Sequence, residues 1–105
     1  MNDDPILFAV MTPLGFRVHC HESYWINKIV AQHPVMGGRV EDVKRALSAP
    51  DEIRLSRIDD DVYLFYSRDD RRLVCAVARA TNGDGFLITA YPTDKIKEGK
   101  TVWKK

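Results

Sequence analysis

A histidine at a predicted helix end and an arginine at the start of the next helix form the best-placed pair for acid–base chemistry. His33 is followed directly by Pro34 and a glycine-containing turn, and Arg39 stands where the second helix is expected to begin. Imidazole has a usual pKa near neutrality, and a guanidinium can bind a phosphate through two hydrogen bonds. The pair therefore predicts general acid–base chemistry at a phosphate. The alternative is a histidine that packs at the helix end beside a solvated arginine.

A second group of candidates lies on the last long predicted strand, residues 86–91, which follows the turn 82–85 and ends at Pro92. Side chains alternate across a strand, so this segment has two chemically different faces. One face is apolar and is expected in the core: Phe86, Ile88 and Ala90. The other face becomes polar toward its end: Leu87, Thr89, Tyr91 and Thr93. The hydroxyl groups of this second face are expected to meet a ligand from a rigid strand.

Basic and aromatic residues on two further predicted strands suit a single-stranded RNA ligand. Arg54 and Arg57 belong to one of these strands, and Tyr63 and Tyr66 belong to the next. Such a surface binds RNA through phosphate contacts and base stacking. Tyr63 and Tyr66 cannot share a face of a regular strand, so one of them is expected in the core.

Two histidines on a short N-terminal strand raise the alternative of a metal site. His19 and His21 project from the same strand face, and His33 could supply a third nitrogen. Cys20 points to the opposite face, and a closed zinc site needs four ligands. The chain also lacks a glycine-rich phosphate loop, a CxxC pair and an HExxH helix. No metal and no other cofactor is therefore predicted.

The size and charge of the chain limit its function classes. Its 105 residues suffice for one domain with a single core, and 45% of them are hydrophobic and 30% charged. The net charge of +1 excludes a global field that draws the protein to nucleic acid. No apolar run approaches the roughly 20 residues of a membrane span, and residues 1–5 are acidic where a secretory signal is basic. These features predict a cytoplasmic protein with no membrane partner.

Hydrophobic periodicity predicts an α+β domain built from a hairpin, two helices and a sheet. Strand-like alternation at 6–11 and 16–20 predicts the hairpin. Helical spacing at 23–33 predicts a first helix whose buried stripe is Trp25, Ile26, Ile29 and Val30. After the turn at 35–38 a second helix is predicted up to residue 48, with its inward side chains at Val40, Val43, Ala46 and Leu47. Four further strand-like segments follow: 53–58, 62–66, 73–80 and 86–91. The loops between them are short, which favours antiparallel pairing. The prediction is therefore an N-terminal hairpin and two helices packed on one face of a four-stranded antiparallel β-meander.

Several segments between residues 23 and 93 together resemble the barnase, EndoU, colicin and RelE-like (BECR) nuclease superfamily of small phage and bacterial proteins. The resemblance rests on the His-Pro-x-x-x-x-Arg segment from His33 to Arg39, on LSAPDEI at 47–53, on VYLFY at 62–66 and on ITAYPT at 88–93. It implies a single domain over residues 1–105, with a helical part packed on a four-stranded antiparallel sheet. Many members of this group are uncharacterised, and others are toxins that act with a small antitoxin partner.

The function that the resemblance implies is metal-independent cleavage of RNA, in which the ribose 2′-hydroxyl attacks the adjacent phosphate. It assigns the acid or base role to His33 and the basic position that follows to Arg39. Thr89 and Tyr91 match polar positions of the last strand, where a hydroxyl can orient or protonate. The residues expected to contact RNA or its phosphates are Arg54, Arg57, Tyr63 and Thr93. No cofactor is required by this chemistry.

A non-catalytic interaction module with the same fold is the alternative function. The near-neutral charge balance and the lack of a decisive catalytic motif favour it. Strong RNA binding that weakens steeply with added salt would count against it, because phosphate contacts release counterions.

Overall fold

The computed structural model describes residues 3–69 and 72–105, which form one seven-stranded sheet with short helices on one side. The strands are β1 (Ile6–Met11), β2 (Arg17–His21), β3 (Glu52–Leu55), β4 (Val62–Asp69), β5 (Arg72–Thr81), β6 (Asp84–Thr93) and β7 (Lys100–Lys104). The helical segments are α1 (Glu22–Tyr24), its continuation as the π-helix Trp25–Val30, the 3-10 helix Pro34–Met36 and α2 (Val40–Ser48). No helix in the described residues is long and apolar enough to cross a membrane.

The predicted four-stranded antiparallel meander is wrong, because the sheet is mixed and has seven strands in the order β1-β2-β6-β5-β4-β3-β7. The four strands from β3 to β6 do pair antiparallel with their chain neighbours. The N-terminal hairpin extends this unit through a parallel pairing of β2 with β6, and β7 adds to the other side on β3. β7 pairs with the open edge at β3, and β2 pairs with the beginning of the open edge at β6. Arg17 of β2 pairs with Asp84 of β6. These residues lie far apart in the chain, and no turn signal in the sequence predicts that they pair.

The helical segments bury their apolar side chains on one face of the sheet, the helix face. Val43, Ala46 and Leu47 of α2 are fully buried, as the helical spacing predicts. The strand residues that pack with them include Phe8, Val18, Ile53, Phe65, Val74, Ala76, Ala78, Leu87 and Ala90. Ile26 was expected in the buried stripe but is 56% exposed. The reason is that residues 25–30 wind as a π-helix, which changes the angular spacing of side chains.

A β-bulge in β6 changes which residues of this strand face the core. Ile88 is the extra residue, because Leu87 and Thr89 pair with consecutive residues of β5. Leu87 is therefore 1% exposed on the helix face, whereas Phe86 is 39% exposed. The prediction of Phe86 in the core and Leu87 outside it is wrong, since an inserted residue breaks regular alternation. Ala90, beyond the bulge, is buried on the helix face as predicted.

The opposite side of the sheet is partly covered by the connection from β6 to β7, residues 94–99, which we call the crossover. Three strands separate β6 from β7, so this connection must cross the sheet. Ile96 packs against Leu64, Tyr66 and Cys75 on this side, the crossover face. Gly99 has a φ of +87°, and a Cβ there would lie 2.7 Å from a backbone carbonyl oxygen of β3. Only glycine fits this close approach without strain.

The junction of β3 and β7 holds a buried carboxylate. Glu52 is 6% exposed, and its Oε2 accepts hydrogen bonds from Thr101 Oγ1 at 2.6 Å and from Arg54 Nε at 2.7 Å. The hydrogen bond from Thr101, together with the bond and charge of Arg54, holds the pKa of Glu52 below its usual value against the opposing effect of burial. The protonated form of Glu52 is therefore disfavoured in the folded protein.

This lowered pKa makes folding stability depend on pH. The unfolded chain binds the proton more tightly, so Glu52 contributes stability above its usual pKa of 4.5, and that contribution is lost as the pH falls through the lower folded value. We expect Glu52→Gln to lower the free energy of unfolding at pH 7 and to flatten its decline between about pH 5 and 3. Urea unfolding at a series of pH values measures both effects. An unchanged pH slope in the variant would contradict the assignment.

Candidate active site

The edge of β6 brings His33 and Tyr91 together. Among the described residues, β2 pairs only with residues 84–86 of β6, so the later half of β6 has no strand neighbour on this side. The helical segment ends beside it, where the backbone N–H of His33 donates to the carbonyl of Ile29 and Pro34 begins the 3-10 helix. The ring centroids of His33 and Tyr91 lie 5.7 Å apart, with the ring planes inclined at 43°. Two of the four predicted catalytic residues are therefore adjacent.

Tyr91 is the β6 partner of Cys75 of β5 and packs against the cluster that contains this buried thiol. Burial raises the pKa of Cys75 to about 12. Burial likewise raises the pKa of Tyr91 above its usual value. Both groups stay protonated at neutral pH, so neither is a base or an ionised nucleophile. With its ring beside His33 and packed against the Cys75 cluster, Tyr91 is suited to hold the imidazole in place.

A cavity of about 580 Å³ lies between the crossover and the sheet. Three residues of the predicted site line it: Arg57, Thr89 and Tyr91. Its apolar wall residues include Val62, Leu64 and Val77, and the crossover contributes Lys97, Glu98 and Gly99. Small-molecule sites typically enclose roughly 300–1,000 Å³. Because Tyr91 both lines this cavity and adjoins His33, the imidazole lies next to the cavity wall.

Thr89 brings an unsatisfied hydroxyl to this cavity. Its Oγ1 is buried without a hydrogen-bond partner, and it is the only side-chain atom of this kind among residues 3–69 and 72–105. Buried polar groups in folded proteins nearly always have a partner, so an exception requires an explanation. A hydroxyl can both donate and accept. This oxygen has almost no accessible surface, so it reaches a ligand in the cavity only when the side chain rotates about its Cα–Cβ bond, and no internal hydrogen bond opposes that rotation.

Arg39 is held by two carboxylates. Its Nε donates to Asp42 Oδ2 at 2.8 Å, and its Nη2 donates to Asp69 Oδ2 at 3.1 Å. The second bond ties the start of α2 to the end of β4. The structure thus places the guanidinium in an intramolecular network, whereas the sequence predicted a phosphate-binding cation beside His33.

The four predicted RNA contacts lie in different environments. Arg57 lines the cavity, while Arg54 is paired with the buried Glu52 at 2.7 Å. Tyr63 packs against the core cluster of the helix face, and the hydroxyl of Thr93 donates to a crossover carbonyl at 3.4 Å. Arg57 is therefore the member of this set that adjoins the cavity.

The two N-terminal histidines lie at another part of the sheet. The rings of His19 and His21 are 5.6 Å apart, and their Nδ1 atoms lie 3.8 Å from Asp84 Oδ1 and 3.9 Å from Asp4 Oδ2, respectively. Cys20, between them, is buried in the core cluster of the helix face. In the part of the chain that the structure describes, no three His, Cys, Asp or Glu side chains are grouped to hold a metal ion.

Lys97 is a residue of the cavity that sequence reasoning does not identify. The crossing of the sheet by residues 94–99 is a tertiary feature, and the frequent lysines from Lys95 onward are its only trace in the sequence.

Comparison of the chain with protein-family models, with curated proteins and with solved structures found no match.

Proposed function

We propose that the protein cleaves single-stranded RNA at the edge of β6, with His33 as the acid–base group. The observation that carries this proposal is the contact of His33 with Tyr91, next to a cavity that Arg57 and Thr89 also line. An imidazole, a cation and a free hydroxyl beside one cavity are the elements that phosphodiester cleavage needs. The resemblance of residues 23–93 to BECR nucleases favours the same activity. A cytoplasmic toxin restrained by a small antitoxin protein is the biological role that we propose for it.

In the proposed reaction the ribose 2′-oxygen attacks the adjacent phosphorus while His33 accepts the proton from that oxygen. The bond from phosphorus to the 5′-oxygen then breaks, a water molecule protonates the leaving oxygen, and the hydroxide so formed takes the proton back from His33. The products are a 2′,3′-cyclic phosphate and a 5′-hydroxyl. Arg57 and Lys97 supply positive charge for the phosphorane oxygens, and Tyr91 holds the imidazole in place.

The test is incubation of the purified protein with single-stranded RNA and with tRNA in the presence of EDTA. We expect fragments that end in a 2′,3′-cyclic phosphate, because the attacking group belongs to the substrate. The matched control is the same oligonucleotide with 2′-O-methyl groups, which we expect to remain intact. RNA that stays uncut, or methylated RNA that is cut equally, would overturn this proposal.

A non-catalytic interaction module is the second candidate, and one observation favours it. Arg39 and Arg54 both form ion pairs within the protein, which reduces the positive charge available for RNA. A binding assay discriminates between the two candidates. Tight RNA binding whose affinity falls steeply between about 50 and 200 mM salt supports the nuclease and counts against the module.

A further inference from the structure

We infer that the cavity between the crossover and the sheet is a subsite for one nucleobase, and that Thr89 reads the polar edge of that base. This inference rests on the proposed RNA-cleaving function and specifies one part of it. It assigns Thr89 to substrate selection and leaves proton transfer to His33. Three features of the cavity carry it: its walls, its unpartnered hydroxyl and the charges at its mouth.

The walls of the cavity suit a flat, largely apolar ring. Val62, Leu64 and Val77 supply aliphatic surface, and Tyr91 supplies an aromatic ring. The volume of about 580 Å³ is within the range that holds a small organic ligand. Nucleobases bind proteins through stacking on such surfaces, and every base has a face that can stack.

The hydroxyl of Thr89 favours a ligand with a polar edge, such as a base, over a ligand without one. Its Oγ1 is buried and unpartnered in the described structure, so the side chain can rotate about its Cα–Cβ bond to present the hydroxyl to a ligand without breaking an internal hydrogen bond. The edge of a nucleobase carries N–H donors and carbonyl or ring-nitrogen acceptors, and a hydroxyl pairs with either kind. A site with a buried polar group rejects ligands that leave this group unpaired.

The charges at the mouth of the cavity suit the phosphate that accompanies a base. Arg57 and Lys97 are exposed side chains that line this mouth. Arg57 makes a long contact of 3.4 Å with the Gly99 carbonyl through Nη2, which leaves its other N–H groups available. Glu98 and Asp59 stand at the same mouth and limit where a phosphate can sit. A purely apolar ligand would leave the two cations unused.

The test is titration of the protein with the 3′-monophosphates of the four ribonucleosides and with ribose 5-phosphate, which has no base. Chemical shifts of backbone amides report both affinity and location. We expect at least one nucleotide to bind about tenfold more tightly than ribose 5-phosphate, with shifts in β6 and the crossover. Thr89→Val keeps the β-branched shape and removes the hydroxyl, so we expect it to weaken that nucleotide about tenfold. We expect Thr89→Ser to retain the affinity.

The matched control is Thr81→Val, since Thr81 is an exposed strand threonine outside the cavity. Circular dichroism of each variant checks that it is folded. Nucleotides that bind no better than ribose 5-phosphate, or that bind Thr89→Val as well as the wild type, would overturn the subsite. RNA cleavage that depends on His33 would stand after either result. Nucleotide binding without any RNA cleavage would instead retain the subsite and remove the catalytic proposal.

Discussion

Replacement of His33 with alanine is expected to lower the rate of RNA cleavage by about 10²- to 10⁴-fold, the usual contribution of a general acid or base. His33 adjoins Tyr91 at the unpaired edge of β6, next to the cavity that Arg57 lines. The Tyr91 hydroxyl and the Cys75 thiol stay protonated at neutral pH because burial raises the pKa of each, so neither can replace the imidazole as a base. Single-turnover cleavage of a labelled oligonucleotide measures the rate.

The matched control for this prediction is His19→Ala. It removes the same kind of side chain from β2, where the ring of His19 lies beside His21 and not beside the cavity residue Tyr91. We expect it to cleave RNA at the wild-type rate. If the two variants lose activity equally, or if His33→Ala cleaves as fast as the wild type, His33 is not the acid–base group.

Replacement of Leu87 with alanine is expected to lower the free energy of unfolding by about 2–5 kcal/mol, the usual cost of truncating a buried leucine. Leu87 is 1% exposed and belongs to the core cluster that also includes the buried side chains of the helices. It lies there because the bulge at Ile88 turns it toward the helix face. The lost stability comprises the transfer free energy of the removed aliphatic carbons and the cost of the cavity that they leave behind. Urea denaturation followed by circular dichroism measures it.

Phe86→Ala is the matched control, because regular alternation and the observed bulge make opposite predictions for these neighbouring residues. Phe86 is 39% exposed, so its truncation should cost less than that of Leu87 although phenylalanine is the larger side chain. A greater loss for Phe86→Ala than for Leu87→Ala would mean that the strand has no bulge at this position.

Local pattern was sufficient where an element depends mainly on its own residues. The spacing of Val43, Ala46 and Leu47 predicted which side of α2 is buried. Hydrophobic runs with turn signals between them predicted the neighbouring strands β4, β5 and β6. Pattern failed at Phe86 and Leu87, because a single inserted residue changes the face of its neighbours and leaves no mark in composition.

The sequence by itself determined which chemical groups the protein has and which consecutive strands, joined by short loops, pair with each other in the sheet. These properties follow from side-chain type, from the periods of helix and strand and from short loops. Only the tertiary structure decided which distant groups meet. It brought His33 to Tyr91, tied Arg39 to Asp69 and laid the crossover over Thr89. The physical reason is that such contacts depend on how the whole sheet closes its edges and covers its faces, which no short stretch of sequence encodes.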